Sequence, residues 1–344
     1  MLKVAIIGGS GYTGGELLRL LEQHPYVKIT AVTSERFKGK QVSELFPNLK
    51  NCRLKFEPLK IKNIAKNADL FFVCLPHKTS QGIVASLYKT GKKVIDLSAD
   101  YRLKSAAIYR KWYETKHMFP ALLKKAVYGL PELYRKKIKN ASIVANPGCY
   151  PTGAILGLAP IMKNAAFDFN SIIVDSKSGV SGAGRNPAPP FMFSEVNESV
   201  KAYAVTIHRH TPEIEQQLSF LSKKKITINF TPHLIPVDRG ILSTIYVQLK
   251  KKTKPVDIKG IYKKYYANEI FVNVLDKEYP NTKTVTGTNS CTIALFANKR
   301  KTSLIIVTAI DNLLKGASGQ AVQNMNIMYG FNESTALKTA SIYP

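Results

Sequence analysis

Cysteine and tryptophan are scarce in this chain, which has four cysteines and one tryptophan among 344 residues. The cysteines lie far apart, at Cys52, Cys74, Cys149 and Cys291, and form no C-x-x-C pair. This spacing argues against a disulfide framework and against a cysteine zinc site. We therefore expect a reducing, cytoplasmic setting and no bound metal.

Long apolar runs are missing as well. No window of 18 consecutive apolar residues occurs, and no charged and apolar leader precedes the first strand-like run at Lys3. We expect neither a membrane span nor a secretory signal. Apolar residues still make up 45% of the chain, which at this length is enough for two domains with complete cores.

Acidic residues are few, since 23 Asp and Glu stand against 50 Lys and Arg and give a formal net charge of +27. Such a charge is typical of nucleic-acid-binding proteins, but 40 of the cations are Lys, whereas proteins that read bases favour Arg. Neither a zinc-finger spacing nor an aromatic RNA-binding motif is present. The charge therefore favours a Lys-rich surface that attracts acidic small molecules, and we expect no nucleic-acid partner.

The first 35 residues have the pattern of a β-α-β unit. Lys3–Gly8 predicts a strand, the leucines within 15–23 predict a helix, and Val27–Thr33 predicts a second strand. Continuous apolar runs recur at Asp69–Leu75 and Lys93–Leu97, as in strands that are buried on both faces. We predict an α/β fold whose first domain is a parallel, Rossmann-type sheet.

A glycine-rich loop joins the first predicted strand to the first predicted helix. Gly8, Gly11 and Gly14 allow a tight turn and let the backbone approach a pyrophosphate, which binds at the helix N-terminus. The loop also holds Ser10, Tyr12 and Thr13, and the hydroxyls of Ser10 and Thr13 are candidates to donate to the phosphates. This context favours dinucleotide binding over a purely structural turn.

The residues after the second strand indicate which nicotinamide cofactor binds. An NAD site usually has an acidic residue there for the ribose diol, whereas an NADP site has hydroxyls and cations for the 2′-phosphate. Ser34 and Arg36 favour NADP, and Glu35 between them favours NAD. Alternation along the strand end should turn Glu35 away, so we predict NADP(H) as the cofactor.

The pattern changes near residue 149. Strand-like runs at 172–174, 225–230, 240–249 and 303–308 predict a mixed, partly antiparallel α+β domain, and 312–329 predict a closing helix with Asp311 as its N-cap. We expect this helix to return to the first domain. The predicted NADP-binding domain then comprises 1–148 and 311–344, and the predicted catalytic and dimerisation domain comprises 149–310.

Cys149 is the candidate nucleophile. It follows Asn146-Pro147-Gly148 and precedes a helical run, and a helix N-terminus stabilises a thiolate. Its candidate proton shuttles are His208 and His210, which flank Arg209 just before another predicted helix. No third ligand accompanies the two histidines, so acid–base chemistry is favoured over metal binding.

Eight motif-bearing segments are distributed over nearly the whole chain: 8–14, 75–77, 96–102, 128–132, 146–152, 178–185, 208–214 and 309–326. In these segments the sequence resembles the N-acetyl-γ-glutamyl-phosphate reductases of arginine biosynthesis, which are relatives of the aspartate-semialdehyde dehydrogenases. The resemblance implies NADPH-dependent reductive dephosphorylation of an acyl phosphate, and a homo-oligomer that is a dimer or a tetramer.

The same resemblance implies roles for individual residues. Cys149 forms a thioester that hydride reduces, and His208 is its acid–base partner. Substrate binding is implied for His210, Arg209 and Arg102, although an ion pair with Asp96 or Asp100 is the alternative for Arg102. Further cofactor contacts are implied for Ser178, Gly179, Gly182, Asn312 and Lys315.

Two other functions stay open at this point. One is a reductase of lysine biosynthesis that acts on an aminoadipyl phosphate attached to an acidic carrier protein, which the net charge would suit. The residues around Cys149 and within 178–185 instead resemble the enzyme that acts on free acetylglutamyl phosphate. The other is a nucleic-acid-binding NADP sensor without turnover, which the presence of Cys149 and His208 disfavours.

Overall fold

The structure is a computed structural model that describes residues 1–250, 257–300 and 302–343. It divides into two compact units. Unit 1 comprises Met1–Pro147 and Ala317–Lys338, and unit 2 comprises Gly148–Gly316 and Thr339–Pro344. Within the described ranges, no helix is long and apolar enough to cross a membrane.

Unit 1 is built on a parallel sheet. Its strands are β1 (Leu2–Ile7), β2 (Val27–Thr33), β3 (Phe56–Glu57), β4 (Leu70–Val73), β5 (Lys93–Asp96), β6 (Val127–Tyr128) and β7 (Ile143–Ala145). They lie in the order β3-β2-β1-β4-β5-β7-β6, and each of these neighbouring pairs is parallel. The predicted parallel sheet is confirmed. Phe71, Val73 and Val94 are fully buried in its core, which explains the continuous apolar runs.

Helices connect these strands. They are α1 (Tyr12–Glu22), α2 (Val42–Leu45), α3 (Ile61–Ile64), α4 (Ser80–Tyr88), α5 (Ala106–Tyr113), α6 (Pro120–Lys125) and α7 (Pro131–Lys139). The leucines at 17, 18, 20 and 21 of α1 are buried, so α1 packs its apolar face into unit 1 as its sequence pattern predicts.

Unit 2 is a mixed sheet with helices. The helices are α8 (Cys149–Leu158), α9 (Phe193–Val196), α10 (Thr211–Ser222) and α11 (Ile258–Tyr265). The strands are β8 (Phe167–Ser178), β9 (Lys201–Ala202), β10 (Ile228–Leu234), β11 (Ile241–Leu249), β12 (Val272–Val274), β13 (Cys291–Ala297) and β14 (Ser303–Ile310). Their order is β12-β13-β14-β11-β8-β10-β9. Strand β8 is parallel to β10 and antiparallel to β11, as a mixed α+β domain requires.

The apolar helix α8 lies at the centre of unit 2. Residues 150–158 are all buried, because α8 packs against β11, β14 and α10. Its first residue, Cys149, is only partly buried. The fold therefore fixes the helix along its length and leaves its N-terminal residue accessible.

The last helix, α12 (Ser318–Tyr329), belongs to unit 1, as predicted for the C-terminal helix. It packs against α1 and α7. Asn324 donates to the carbonyl of Gly129 at 2.9 Å, and the side chains of Asn326 and His24 bond at 3.0 Å. A segment remote in sequence thus completes the core of unit 1.

The start of α12 differs from the prediction. The sequence pattern places an N-cap at Asp311, but the helix begins at Ser318, and 312–317 form a turn. Asp311 Oδ1 accepts from the N–H groups of Leu313 and Leu314 at 2.8 and 3.2 Å. The capping tendency of Asp is therefore satisfied by this turn rather than by the helix.

The division into units also differs from the predicted domain boundaries. Residues 311–316 and 339–344 group with unit 2 rather than with the first unit. Two hydrogen bonds give the reason: Asp311 Oδ2 accepts from Gly287 N at 2.8 Å, and Ile342 N donates to Thr286 O at 3.1 Å. Both segments are thereby tied to the loop before β13.

Candidate active site

The glycine-rich loop of unit 1 has the backbone geometry expected of a phosphate-binding turn. Gly8 adopts a left-handed conformation with φ of 80°. A Cβ at Gly14 would lie 2.4 Å from the carbonyl oxygen of Gly9, so only glycine fits this close approach. The N–H groups of Gly8 and Gly9 bond to Thr33 at 3.0 and 2.8 Å, which holds the loop against the end of β2.

The N-terminus of α1 comes directly after this turn in the chain. Gly11 is its N-cap residue and offers no side-chain oxygen to the first N–H groups, which have no acceptor within the helix. Tyr12 and Thr13 form the first turn, and Tyr12 is exposed. This arrangement suits an anionic group at the helix N-terminus.

The end of β2 presents the residues predicted to select the cofactor. Ser34 is buried and its hydroxyl donates to Ser10 Oγ at 3.0 Å, so two predicted cofactor residues lie in contact. Glu35 accepts from the N–H of Leu59 at 2.9 Å. The carboxylate is thereby engaged by the protein backbone, while Arg36 is exposed.

Arg102 is buried at the carboxyl ends of two sheet strands. Its Nε donates to the carbonyl of Asn146 at 2.7 Å, and its Nη2 donates to the carbonyl of Leu97 at 2.9 Å. Leu97 follows β5 and Asn146 follows β7. The guanidinium therefore links the two strand ends and lies where ligands bind in parallel sheets.

The two carboxylates near Arg102 in sequence have other hydrogen-bond donors. Asp96 accepts from the hydroxyls of Ser80 and Ser98, each at 2.8 Å. Asp100 accepts from the hydroxyl of Tyr109 at 2.7 Å and from the N–H of Gln81 at 3.1 Å. Burial, together with the negative charge of Asp100, raises the pKa of Asp96 to about 6.

Cys149 is the first residue of α8 in unit 2, with Gly148 as the N-cap. The N–H of Gly148 donates to Glu213 Oε1 at 2.9 Å, so a buried carboxylate of α10 holds the turn that precedes the thiol. Gly316 lies on the other side, and a Cβ there would lie 2.9 Å from Cys149 Cβ. The thiol is thus fixed at a helix N-terminus, where a thiolate is stabilised.

The other cysteines lie in different surroundings. Burial raises the pKa of the Cys52 thiol to about 11, and burial also raises the pKa of Cys74 well above its usual range. Cys291 is fully buried in β13. Since the thiolate is the nucleophile, these environments favour Cys149 as the reactive cysteine.

His208 and His210 precede α10 with their rings 4.9 Å apart. Burial, and secondly the charge of Arg209, lower the pKa of His208 to about 4, so this ring is neutral near pH 7. His208 Nδ1 accepts from the N–H of His210 at 3.1 Å. In the neutral ring the proton therefore lies on Nε2, which makes Nε2 a hydrogen-bond donor.

Tyr150 brings these groups together. It follows Cys149 directly in α8, and its ring packs against the ring of His208 at 5.5 Å and that of His210 at 5.9 Å. The predicted nucleophile and both predicted histidines therefore lie in one region of unit 2. Arg209, between the histidines, is exposed.

The predicted cofactor residues of unit 2 lie around one turn. Ser178 ends β8 and its hydroxyl donates to Gly179 O at 3.0 Å, and Gly182 follows in a 3₁₀ turn. Asn312 donates to Ser181 Oγ at 2.9 Å and accepts from Gly240 N at 2.8 Å. Asn312 thus holds the loop at 178–185 against the start of β11.

Lys315 is fully buried, and its Nζ lies 5.6 Å from the ring centroid of Phe271. This position is typical of a cation–π contact within the protein. Nearby, Arg239 lies 3.5 Å from the buried carboxylate of Asp311. Sequence reasoning missed this pair, because 72 residues separate its members in the chain.

Sequence reasoning also missed Glu213, Tyr203, Phe230 and Gly316. Glu213 has the signature of an ordinary acidic residue in a first helical turn, and Gly316 lies within the segment 309–326 with no feature that assigns it a role. Tyr203 and Phe230 carry no local motif. The roles of these four residues follow from their contacts with residues that are remote in sequence. Within the described residues, no three His, Cys, Asp or Glu side chains are grouped closely enough to hold a metal ion.

Two family models match most of the chain. Residues 3–141 match the semialdehyde dehydrogenase NAD-binding domain, and residues 149–312 match the semialdehyde dehydrogenase dimerisation domain. Among solved structures, aspartate semialdehyde dehydrogenase II of Vibrio cholerae superposes with a TM-score of 0.72 at 16% identity, covering 96% of this chain and 98% of that chain. The enzyme of Candida albicans with NADP gives 0.69 at 14% identity, covering 96% and 99%. These likenesses show the fold.

Curated relatives are similar over their complete length. The N-acetyl-γ-glutamyl-phosphate reductase of Pelobacter propionicus is 53% identical, that of Geotalea daltonii 54% and that of Acetivibrio thermocellus 48%. In each case the match covers 100% of both chains.

Proposed function

We propose that this chain, which belongs to the N-acetyl-γ-glutamyl-phosphate reductase family, catalyses the NADPH-dependent reductive dephosphorylation of N-acetyl-γ-glutamyl phosphate to N-acetylglutamate 5-semialdehyde in arginine biosynthesis. The observation that carries this conclusion is the 48–54% identity to relatives of that name over complete chains. Neither the carrier-protein-linked reductase nor the nucleic-acid-binding sensor is favoured by these relatives.

Purified protein tests the function in the reverse direction. With phosphate and NADP, we expect rapid NADPH formation from N-acetylglutamate semialdehyde and little from aspartate semialdehyde. Omitting phosphate should stop the reaction, because phosphate releases the acyl group from the enzyme. Preference for aspartate semialdehyde would overturn the substrate assignment. The reaction type, NADP-dependent oxidation of an aldehyde to an acyl phosphate, would then be the part of the proposal that stands.

Residues of unit 1 fit the cofactor. Gly14 lets α1 pack closely on Gly9, and Gly11, whose Cβ position has no atom within 4 Å, leaves the backbone open to a pyrophosphate. The N-terminus of α1 attracts the negative charge of that group. Arg36 is the exposed cation for the 2′-phosphate, and Ser34, two residues before it in the chain, supplies a hydroxyl that donates to Ser10. NADPH supplies the hydride that reduces the acyl group, and these contacts make it the preferred cofactor over NADH.

Replacing Arg36 with Ala should weaken NADPH binding about 10–100-fold, since a charge-assisted hydrogen bond is worth roughly 1.5–3 kcal/mol. NADH, which lacks the 2′-phosphate, should lose little. Fluorescence titration of both cofactors measures the two affinities. Lys40→Ala removes an exposed cation from the same segment and is the control. Equal losses for the two cofactors in Arg36→Ala would contradict a 2′-phosphate contact.

Cys149 performs the covalent chemistry. Its thiolate sulfur forms a bond with the acyl carbon, the carbon–oxygen bond to phosphate breaks, and inorganic phosphate leaves. The resulting thioester accepts hydride at the same carbon and becomes a thiohemiacetal anion. Its collapse breaks the carbon–sulfur bond, releases the aldehyde and restores the thiolate.

His208 acts as a hydrogen-bond donor in these steps. Its neutral ring carries a proton on Nε2, because Nδ1 accepts from His210 N. Such a donor stabilises the oxyanion that develops when hydride adds to the thioester. His210 and Arg209 are neighbours that bind substrate in this proposal, with the cation of Arg209 attracting its carboxylate.

Arg102 is the candidate for the substrate phosphate. Two of its donors bond to the carbonyls of Leu97 and Asn146, which fixes the guanidinium at the strand ends. A guanidinium stays charged at all pH values of interest and matches the geometry of phosphate oxygens. Long-range attraction by the net charge of +27 further favours anionic substrate and cofactor.

Gly316 has no side chain and so leaves room for the side chain of Cys149. In Gly316→Ala the new methyl would lie 2.9 Å from Cys149 Cβ and 2.5 Å from Asn312 O, so one of them must move. Because displacement by about 1 Å costs on the order of 10²-fold in rate, we expect kcat to fall by that factor. Gly82→Ala in α4 meets no atom within 4 Å and is the control. Unchanged kcat in Gly316→Ala would show that Cys149 tolerates the methyl.

One face of the unit 2 sheet suits a second copy of the chain. Ile173, Tyr246, Ile305 and Phe296 are paired neighbours on β8, β11, β14 and β13 and form an apolar row. Ile173 is 41% exposed and Tyr246 is 37% exposed, whereas the residues directly before and after each of them on the strands are buried. We therefore place a homodimer contact on this row.

Tyr246→Asp should separate the dimer, because it buries a carboxylate in an apolar contact. Light scattering should give twice the 38.2 kDa chain mass for the parent protein and the single mass for the variant. Tyr265→Asp changes a similarly exposed tyrosine on α11 and should leave the mass unchanged. A monomeric parent protein would refute the contact.

The four cysteines, which all lie within the described residues, are thiols rather than disulfides, and catalysis requires one of them as a thiolate. A reducing compartment preserves that state. We accordingly place the enzyme in the cytoplasm.

A further inference from the structure

Three aromatic rings surround His208. The ring of Tyr150 lies at 5.5 Å and 86° to the imidazole, that of Tyr203 at 5.5 Å and 70°, and that of Phe230 at 5.2 Å and 86°. All three are edge-to-face contacts, the arrangement that aromatic rings prefer. They come from three different parts of unit 2, namely α8, the segment after β9, and β10. We call these three rings the aromatic enclosure.

The enclosure is itself held firmly. Phe230 is 4% exposed and packs against Tyr150 at 5.3 Å. The Tyr203 hydroxyl donates to the Tyr150 hydroxyl at 2.9 Å, and Tyr203 N donates to Pro232 O at 3.1 Å. Tyr203 is therefore tied at its ring end to α8 and at its backbone to β10.

The chain between Tyr203 and His208 is strained. Ala204 and Thr206 adopt left-handed conformations with φ of 47° and 66°, which is costly for residues with a Cβ and especially for a β-branched residue. Such strain persists only where the surroundings determine the conformation. Here the bonds of Tyr203 and the bond between Ile207 N and Ala204 O at 3.1 Å do so.

We propose that Tyr203 and Phe230 are positioning residues for the reductase, which with Tyr150 enclose His208 and hold its Nε2–H donor in one orientation beside Cys149. This inference rests on the proposed function of His208. Neither Tyr203 nor Phe230 transfers a proton or touches the reacting carbon. Their action is to exclude water from the imidazole and to keep its Nδ1 on the His210 N–H.

The enclosure has a predictable electrostatic consequence. The groups that face or adjoin His208 are Tyr150 from α8, Tyr203, Arg209 and His210, and the thiol of Cys149 acts electrostatically on both Tyr150 and Tyr203. Neither exclusion of water nor the charge of Arg209 favours a second proton on the ring, so the pKa of His208 lies near 4. Opening the enclosure admits water and should raise the pKa toward the ordinary 6.5.

Selective ¹³C labelling of the six histidines tests this by NMR, with the His208 signal assigned by its loss in His208→Asn. We expect Phe230→Leu and Tyr203→Leu each to raise the titration midpoint of His208 by at least about one pH unit, which is within the range that burial shifts a histidine. Tyr203→Phe restores the ring and should restore most of the wild-type titration. Phe167→Leu, at the opposite end of β8 from Ser178, is a matched buried control and should leave it unchanged.

Kinetics supply the second measurement. In Phe230→Leu and Tyr203→Leu we expect kcat to fall about tenfold with KM nearly unchanged, because the loss is one of orientation in the reacting complex. The fall should be larger at pH 5.5, where a raised pKa lets Nδ1 take a proton and lose its bond with the His210 N–H, than at pH 8, where the ring is neutral in every variant. Tyr203 is only partly buried, so Tyr203→Leu keeps the test valid should Phe230→Leu fail to fold.

An unchanged titration and pH profile in both leucine variants would overturn the enclosure while leaving the enzyme activity intact. A shifted titration with unchanged kcat at both pH values would also overturn it, because His208 would then not act in the reaction. Failure of the proposed function is a separate result, namely no turnover of N-acetylglutamate semialdehyde by the wild-type enzyme.

Discussion

Cys149→Ser should abolish turnover, with a loss of at least about 10³-fold in kcat, in keeping with the losses measured when a covalent nucleophile is removed. A serine hydroxyl is far too weak an acid to ionise at a helix N-terminus near neutral pH, whereas a thiol there ionises readily. Rapid mixing with the acyl phosphate and NADPH measures both phosphate release and NADPH consumption. We expect the variant to release no phosphate and to bind NADPH normally.

Cys291→Ala is the matched control for this experiment. Cys291 lies in the same unit, is fully buried in β13 and takes no part in the proposed chemistry. Its replacement should lower the thermal stability slightly and leave kcat near the wild-type value. Cys149→Ser with more than a small fraction of wild-type activity would refute the thioester mechanism.

His208→Asn should act later in the reaction than Cys149→Ser. The variant retains the thiol, so phosphate release should still occur once per active site, and the thioester should accumulate. Turnover should fall about 10²–10³-fold, the usual loss when a donor to a developing oxyanion is removed. Quenched-flow measurement of phosphate and mass spectrometry of the acylated chain distinguish this result from that of Cys149→Ser.

His233→Asn is a suitable comparison for His208→Asn. His233 lies 3.1 Å from Asp175 in a partly exposed pair, and such pairs contribute little. Its replacement should leave phosphate release and turnover unchanged. Complete loss of phosphate release in His208→Asn would instead assign His208 to the first chemical step, as a base for the thiol.

The turn at 311–316 joins parts of unit 2 that are remote from it in sequence. Asp311 and Asn312 bond to Gly287, Gly240 and Ser181, and a Cβ at Gly316 would lie 2.9 Å from Cys149 Cβ. The loop at 178–185, the start of β11 and the nucleophile therefore lie around one short segment of unit 2. The large expected effect of Gly316→Ala follows from this crowding.

Local patterns were sufficient for much of this protein. Strand β2 spans Val27–Thr33 as its apolar run predicts, because a buried parallel strand needs apolar residues on both faces. Cys149 begins α8 because Gly148 favours the extended N-cap conformation and the following residues are small and apolar. The glycine loop, the candidate nucleophile and the pair of histidines are each recognised from residues that lie within a few positions of one another in the chain.

Tertiary structure decided what joins residues that are remote in sequence. The bond between Gly148 N and Glu213 spans 65 residues, and the enclosure of His208 draws on α8, Tyr203 and β10. The start of α12 at Ser318 was likewise set by the bonds of the preceding turn and not by the capping preference of Asp311. Periodicity and capping describe a residue and its near neighbours, whereas hydrogen-bond partners, burial and the resulting pKa of His208 depend on which distant segments the fold brings together.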